Sequence, residues 1–186
     1  MKILQKVALG GGCHWCTEAV FQSLIGVHKV VQGFVASTGD NATFSEAVIV
    51  HYDETIISLK TLIAIHLHTH KSTSDHTMRS KYRSAVYTFT DTDATKAFDI
   101  LTILQEDFDK KMITNIYPFK AFKLSDKMFH NYYYSNKEKP FCIAYISPKL
   151  KVLLEKFSEQ VNMKKSKRGI SLVCLKIYCF KFSTTQ

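Results

Sequence analysis

The chain has 186 residues, 46% of them hydrophobic and 22% charged, with seven glycines and three prolines; this suits one independently folding domain and excludes collagen-like, low-complexity and disulfide-dependent miniature chains. No uncharged apolar run approaches the roughly 18 to 20 residues that span a bilayer, the longest, near 170–180, being interrupted by Lys176. The net charge of +9 does not point to a nucleic-acid binder, because Lys164, Lys165, Lys167, Arg168, Lys176 and Lys181 all follow the last acidic residue, Glu159, and residues 1–162 carry no basic stripe.

Met1 to Leu9 has two lysines and too short an apolar stretch for a secretory signal, and residues 3–9 read as a strand running into Gly10-Gly11-Gly12. Ala19, Val20, Phe21, Leu24 and Ile25 then recur at helical spacing until Gly26 ends the run. Val27 to Val35 is a second strand, 36–43 a polar turn, and Ala47 to Tyr52 a third strand rich in β-branched and aromatic residues. Ser58 caps a helix that places Leu59, Leu62, Ile63 and His66 on one face and ends near His70. After a polar segment, 71–81, come a strand at Ser84 to Thr90 and an amphipathic helix from Thr92 to about Asp109.

Residues 112–123 read as one strand broken by Pro118, and Asp126 to Tyr134 as a short aromatic helix. Lys139-Pro140 opens an ordered loop, and Ser147-Pro148 starts a helix through about Val161. Strands and helices interleave without a regular nucleotide-binding repeat, which predicts an α+β domain over 1–162, one sheet packed by helices. The run 163–169 reads as a linker and 170–180 as an added strand or tail, so 163–186 forms a basic tail of unassigned role.

Five cysteines, Cys13, Cys16, Cys142, Cys174 and Cys179, make an odd, unevenly spaced set, which argues for the cytoplasm and for thiol chemistry or buried thiols rather than a disulfide framework. The chemistry concentrates in Gly11-Gly-Cys-His-Trp-Cys16-Thr-Glu. A cysteine at a helix N-terminus meets unpaired N–H groups and the positive end of the helix dipole, which favour thiolate and lower its pKa below about 8.5. Local geometry alone leaves two readings of Cys13, a nucleophile and a buried inert thiol.

These residues resemble the methionine sulfoxide reductase A family. Gly12-Cys13-His14-Trp15-Cys16-Thr17-Glu18-Ala19-Val20-Phe21 followed by Gly26-Val27 is similar to its Gly-Cys-Phe-Trp signature and helix. Lys81-Tyr82-Arg83-Ser84-Ala85, Ser45-Glu46-Ala47-Val48 and Phe129-His130-Asn131-Tyr132-Tyr133 are similar to three further motifs, in order along residues 4 to about 160. The resemblance implies a two-layer α/β sandwich related to the ferredoxin-like fold, with a mixed or antiparallel sheet. It also implies reduction of methionine S-sulfoxide, free or in protein, by a cytoplasmic monomer that uses no cofactor and takes electrons from thioredoxin or dithiothreitol.

In that reading Cys13 attacks the sulfoxide sulfur and becomes a sulfenic acid. Glu46 stands at the family's acid position and must remain protonated, which burial would favour. Tyr82 helps to bind the oxygen, and Trp15 packs on the substrate methyl group. Cys142 stands where many members carry a resolving cysteine, and Cys16, one turn from Cys13, competes for that role. Cys142 is favoured, because its loop reaches Cys13 without unwinding the helix.

The chain also departs from the family. His14 replaces the usual phenylalanine, which removes half of the methyl pocket and sets a titratable ring beside the nucleophile. Thr77 stands at the usual aspartate, leaving Asp75 as the nearest carboxylate. Phe44 is nearest to an oxygen-binding tyrosine that a shorter 34–46 segment lacks, and Phe141 replaces another tyrosine. Two other classes compete. One is a metal-binding protein using Cys13, Cys16, His66, His68, His70 and His76, although no second ligand pair of recognised spacing completes a tetrahedral set, so no metal is expected. The other is a thioredoxin-like disulfide exchanger built on Cys13 and Cys16 alone.

Overall fold

The computed structural model of the chain describes residues 4–162; the expected linker and tail, with Cys174 and Cys179, lie outside the described residues. The elements are β1 (Gln5–Gly10), α1 (His14–Gln22), β2 (Val27–Ala36), β3 (Ser45–Tyr52), α2 (Leu59–Thr69), β4 (Ala85–Thr88), α3 (Asp91–Leu104), β5 (Asn115–Pro118), β6 (Ala121–Leu124), α4 (Tyr132–Ser135) and α5 (Ser147–Phe157). The strands form one six-stranded sheet in the order β5-β4-β1-β3-β2-β6. β4 and β5 are parallel and the other neighbours antiparallel, so the sheet is mixed and the α+β expectation holds.

Alternation along the strands separates two cores. Val7 and Leu9 of β1 join Val48 and Val50 of β3 under the helices, whereas Ala8 turns to the other face with Ala47, Ala85 and Tyr87. Glu46 shares the parity of Val48 and Val50, so β3 delivers its carboxyl to the helix face; a one-residue slip would send it to the other. α2 is buried almost all round, with Leu62, Ile63, Ile65 and Leu67 fully enclosed. Ser58 begins it as predicted, its Oγ accepting the Thr61 N–H at 3.1 Å.

Four expectations are corrected. α1 stops at Gln22, four residues before Gly26, because the following backbone is captured elsewhere: the Ile25 N–H donates to the Gln160 carbonyl at 2.8 Å, and Leu24 bridges Val161. Residues 112–123 are two strands at opposite edges of the sheet. Between them the Phe119 N–H donates to Thr88 of β4 and the Lys120 N–H to Ala36 of β2, so the sheet curls until consecutive residues touch strands near both edges.

The aromatic helix at 126–134 divides into a 3-10 turn, Lys127–Phe129, and α4, because Asn131 between them adopts a left-handed conformation, φ 54°. The expected loop after Lys139-Pro140 is helical: a wide turn, Cys142–Ile146, runs directly into α5, and the Ser147 N–H reaches back to the Cys142 carbonyl. Pro148 lacks the N–H that would have bonded the Ala144 carbonyl, which is consistent with widening at this point.

Candidate active site

Cys13 is the residue that caps the N-terminus of α1, and its carbonyl accepts the N–H groups of Cys16 at 3.1 Å and Thr17 at 3.2 Å. Its pKa is lowered to about 7. The main cause is a hydrogen bond from the Cys16 thiol, helped by the backbone N–H groups of Cys16 and Trp15 and opposed by burial and the charge of Glu46. The same bond, together with burial, raises the pKa of Cys16. Cys13 is therefore the more acidic thiol of the pair.

The glycine turn before Cys13 is held from beneath. His66 Nε2 lies 2.8 Å from the Gly10 carbonyl, and the His70 ring stacks on His66 with centroids 4.1 Å apart. Gly11, at φ +156°, passes over His70 so closely that a Cβ would meet the ring at 2.4 Å. Arg79 clamps the opposite side, donating to the carbonyls of Gly11, Tyr82, Ser74 and Lys71.

Glu46 is buried at the start of α1. One oxygen, Oε2, accepts the backbone N–H of His14 at 3.0 Å and lies 2.8 Å from His14 Nδ1, while Oε1 lies 3.5 Å from Lys81 Nζ. Burial is the largest single influence and pushes the carboxyl up, but the His14 ring, the His14 N–H and Lys81 together outweigh it and hold Glu46 below the usual carboxylate range. The expectation of a Glu46 kept neutral by burial is thus reversed. Its physical reason is the histidine that replaces phenylalanine: buried rather than idle at the surface, it brings Nδ1 to 2.8 Å from this carboxylate.

Tyr82 joins this group through Lys81, whose Nζ lies 5.1 Å from the phenol ring centroid and also reaches Glu46. Trp15 stacks on Tyr132 (4.3 Å) and Phe129 (5.0 Å) and meets Phe141 edge-on at 5.2 Å. The predicted pair Trp15 and Phe141 therefore comes together, with α4 and the turn before it adding two rings. Phe44 is 48% exposed. Asp75 does not join the Cys13 and Glu46 group: it lines a separate polar cavity of about 390 Å³ with Arg79, Arg83 and Asp40, because the Arg79 clamp fixes the path of the 71–82 segment.

Cys142 is fully buried, its thiol donating to the Asn136 carbonyl at 3.4 Å, and burial raises its pKa. The Cys16 thiol points at the Tyr145 carbonyl at 3.9 Å, so Cys16 lies against the Cys142–Ile146 turn. Sequence reasoning passed over Lys149. Its ammonium donates to the Thr69 carbonyl at the end of α2 and interacts with both Cys13 and Cys16; the Pro148-Lys149 step carried no signal beyond a helix start. His66, His68, His70 and His76 do not gather with the cysteines, and among the described residues no group of three or more His, Cys, Asp or Glu side chains is placed to hold a metal ion.

A family model described as peptide methionine sulfoxide reductase matches residues 5–162. A peptide methionine sulfoxide reductase MsrA of Psychrobacter sp. is 32% identical over 174 residues, covering 84% of this chain and 98% of that protein. The reduced form of Mxr1 from Saccharomyces cerevisiae superposes with a TM-score of 0.66 at 19% identity, covering 75% of this chain and 89% of that one. Mxr1 in complex with Trx2 does so with 0.54 at 23% identity, covering 69% and 84%. With a free cysteine at a glycine-turn helix cap and a family match that runs through every motif of the site, this chain belongs to the peptide methionine sulfoxide reductase family.

Proposed function

We propose that this chain reduces the S epimer of methionine sulfoxide, free or within proteins, with Cys13 as nucleophile. The observation that carries the reading is the position of Cys13 at the N-terminus of α1, where the neighbouring His14 N–H donates to Glu46 at 3.0 Å and Lys81 lies 3.5 Å from the same carboxyl. Cys13 attacks the substrate sulfur and forms an S–S bond while the oxygen takes up one proton; the oxygen then passes to the Cys13 sulfur as the substrate S–O bond and the S–S bond break, so the substrate sulfur gains two electrons, the Cys13 sulfur loses two, and methionine leaves with a sulfenic acid on Cys13. A neighbouring thiol then condenses with the sulfenic acid, releasing water and forming a disulfide. A dithiol reductant, thioredoxin or dithiothreitol, returns the pair to thiols, and no cofactor is required. The solved complex of Mxr1 with Trx2 supports thioredoxin.

Tyr82 steadies the sulfoxide oxygen, and Trp15 and Phe141 supply the apolar wall for the methyl group. The contact between Cys13 and Cys16 supports Cys16 as the first resolving thiol, since residues three apart at a helix start lie within the roughly 4.4 to 6.8 Å that a disulfide spans. Cys142 is the second candidate, one contact further away. Phe44 and Asp75 have no step in this scheme.

The order β4-β1-β3-β2, with α1 after β1 and α2 after β3, supports a relation to the ferredoxin-like sandwich. The odd cysteine count supports a reducing, cytoplasmic setting for a monomer whose catalytic domain is 1–162. Offering the S and R epimers separately with dithiothreitol, to wild type and to Cys13→Ser, tests the reading. Consumption of S alone, abolished in the variant, is expected; consumption of R, or an unaffected variant, overturns it.

A further inference from the structure

We propose that Gln32 and Glu18 are a buried pair of positioning residues that fixes the apolar wall of the substrate site; this rests on the reductase reading above, in which Trp15 faces the methyl group of the sulfoxide. The pair holds the corner at residues 129–132, whose rings Phe129 and Tyr132 stack on the indole.

Three observations carry this assignment. The first is the Gln32 side chain, which is 1% exposed and whose amide nitrogen donates twice, to the Phe129 carbonyl at 2.7 Å and to Glu18 Oε2 at 2.8 Å. A carbonyl only accepts, so the bond to Phe129 fixes which end of the amide faces the corner, whatever the protonation of Glu18. Glu18 is 3% exposed, and the backbone N–H groups of Asn131 and Tyr132 act on the same carboxyl. Polar groups that share partners in this way specify one arrangement, because removing a member leaves the others unpaired away from water.

The second observation is the face of α1 that meets the corner. Trp15, Glu18 and Gln22 recur at spacings of three and four, which sets them one above another along the helix. All three end on the same short segment: Trp15 stacks on Tyr132 and Phe129 at 4.3 and 5.0 Å, Glu18 meets its backbone, and Gln22 Nε2 donates to Asn131 Oδ1 at 2.6 Å. The helix that begins beside Cys13 is thereby keyed to the corner over two turns.

The third is the backbone of the corner itself. Asn131 stands at φ 54° between the 3-10 turn and α4, a conformation that a residue with a side chain keeps where its surroundings impose it. Tyr132 then continues the wall to Phe141, edge-on at 6.0 Å. Residues 129–132 carry no thiol and no carboxyl, so loosening them alters apolar recognition rather than the chemistry at Cys13.

Trp15 is the only tryptophan of the chain, so its fluorescence reports the stack directly. The test is single-turnover reduction of methionine S-sulfoxide by the reduced full-length chain, at varied sulfoxide concentration, in wild type, Gln32→Met and Glu18→Gln. Gln32→Met keeps the buried volume and lacks the donor; the half-saturating sulfoxide concentration should rise on the order of tenfold while the limiting rate stays within about twofold. Trp15 emission should shift to the red and acrylamide should quench it more strongly. Glu18→Gln keeps an oxygen for the same donors, so its half-saturating concentration should stay within about threefold of wild type. If Gln32→Met does not fold, Gln22→Ala removes the outer bond to the same corner and should move both readings in the same direction.

A half-saturating concentration and an emission that both stay at wild-type values would overturn the proposal. So would an emission that moves while half-saturation does not, since the pair would then brace the fold without setting the wall, or a limiting rate that falls alone. A wild-type chain that leaves the S epimer untouched sinks the reductase reading itself, whereas an active chain with any of those three results sinks only the role of Gln32 and Glu18.

Discussion

The His70 imidazole lies directly beneath Gly11: a Cβ added there would stand 2.4 Å from the ring, at a φ of +156° that side chains rarely adopt. His70 is itself fixed, with Nδ1 2.6 Å from the His66 carbonyl and Nε2 2.8 Å from Ser84 Oγ, which in turn lies 2.8 Å from Thr114 Oγ1. The turn that presents Cys13 thus rests on a chain of hydrogen bonds that runs from α2 through the start of β4.

Gly11→Ala should therefore fail at both levels. Relieving the contact requires His70 to leave Ser84 or the turn to rise, and we expect a loss of about 1 to 3 kcal/mol in urea unfolding. Iodoacetamide alkylation of Cys13 should slow in parallel; an alanine variant with unchanged stability and alkylation rate would show that the ring does not set the turn.

The Cys16 thiol is the largest cause of the depressed pKa of Cys13. Cys16→Ala should move the inflection of Cys13 alkylation upward from about 7, so that at neutral pH the reaction slows, while Cys142→Ser leaves the inflection in place. Mass spectrometry after one turnover should find Cys13 linked to Cys16. A Cys13–Cys142 link appearing first would return the resolving role to Cys142.

For Glu46 the sign follows from a carboxyl held below its ordinary range in the folded chain. Its contribution to stability is complete above the unfolded carboxyl pKa, near 4.3, and is lost as the pH falls through the lower folded value. Glu46→Gln should flatten the acid side of a plot of melting temperature against pH, and His14→Phe should do so in part because it removes the main partner. A plot that keeps its acid slope in Glu46→Gln would place the titrating group elsewhere.

Ile63 is fully buried in the core under the helices, and Ser58 caps the same helix from outside. Ile63→Ala should cost about 2 to 5 kcal/mol through lost burial and a cavity, and Ser58→Ala about 1 kcal/mol through one unsatisfied N–H. Thermal unfolding checks both. The rate of sulfoxide reduction by the folded fraction should stay unchanged.

Local chemistry made much of this legible in advance. The glycine run before a helical pattern located Cys13 at a helix start, Ser58 announced its helix, and the β-branched and aromatic run at Ala47 to Tyr52 announced β3. The errors came where partners distant in sequence decide the backbone. Residues 112–123 split because their two halves bond to strands at opposite edges, and the 139–146 segment coils because α5 draws it into helix. Asp75 strayed for the same reason, since the Arg79 clamp that sets its path gathers carbonyls from both sides of it.

By itself the sequence determined that Cys13 stands at a helix start, the order of the motifs and the existence of the central strands, because these depend on helix ends and on residue preferences within one segment. Only the tertiary structure decided which partners each ionisable group meets. The state of a carboxyl depends on what lies within a few ångströms of it, and folding placed His14 and Lys81, 32 residues before and 35 after it, against Glu46.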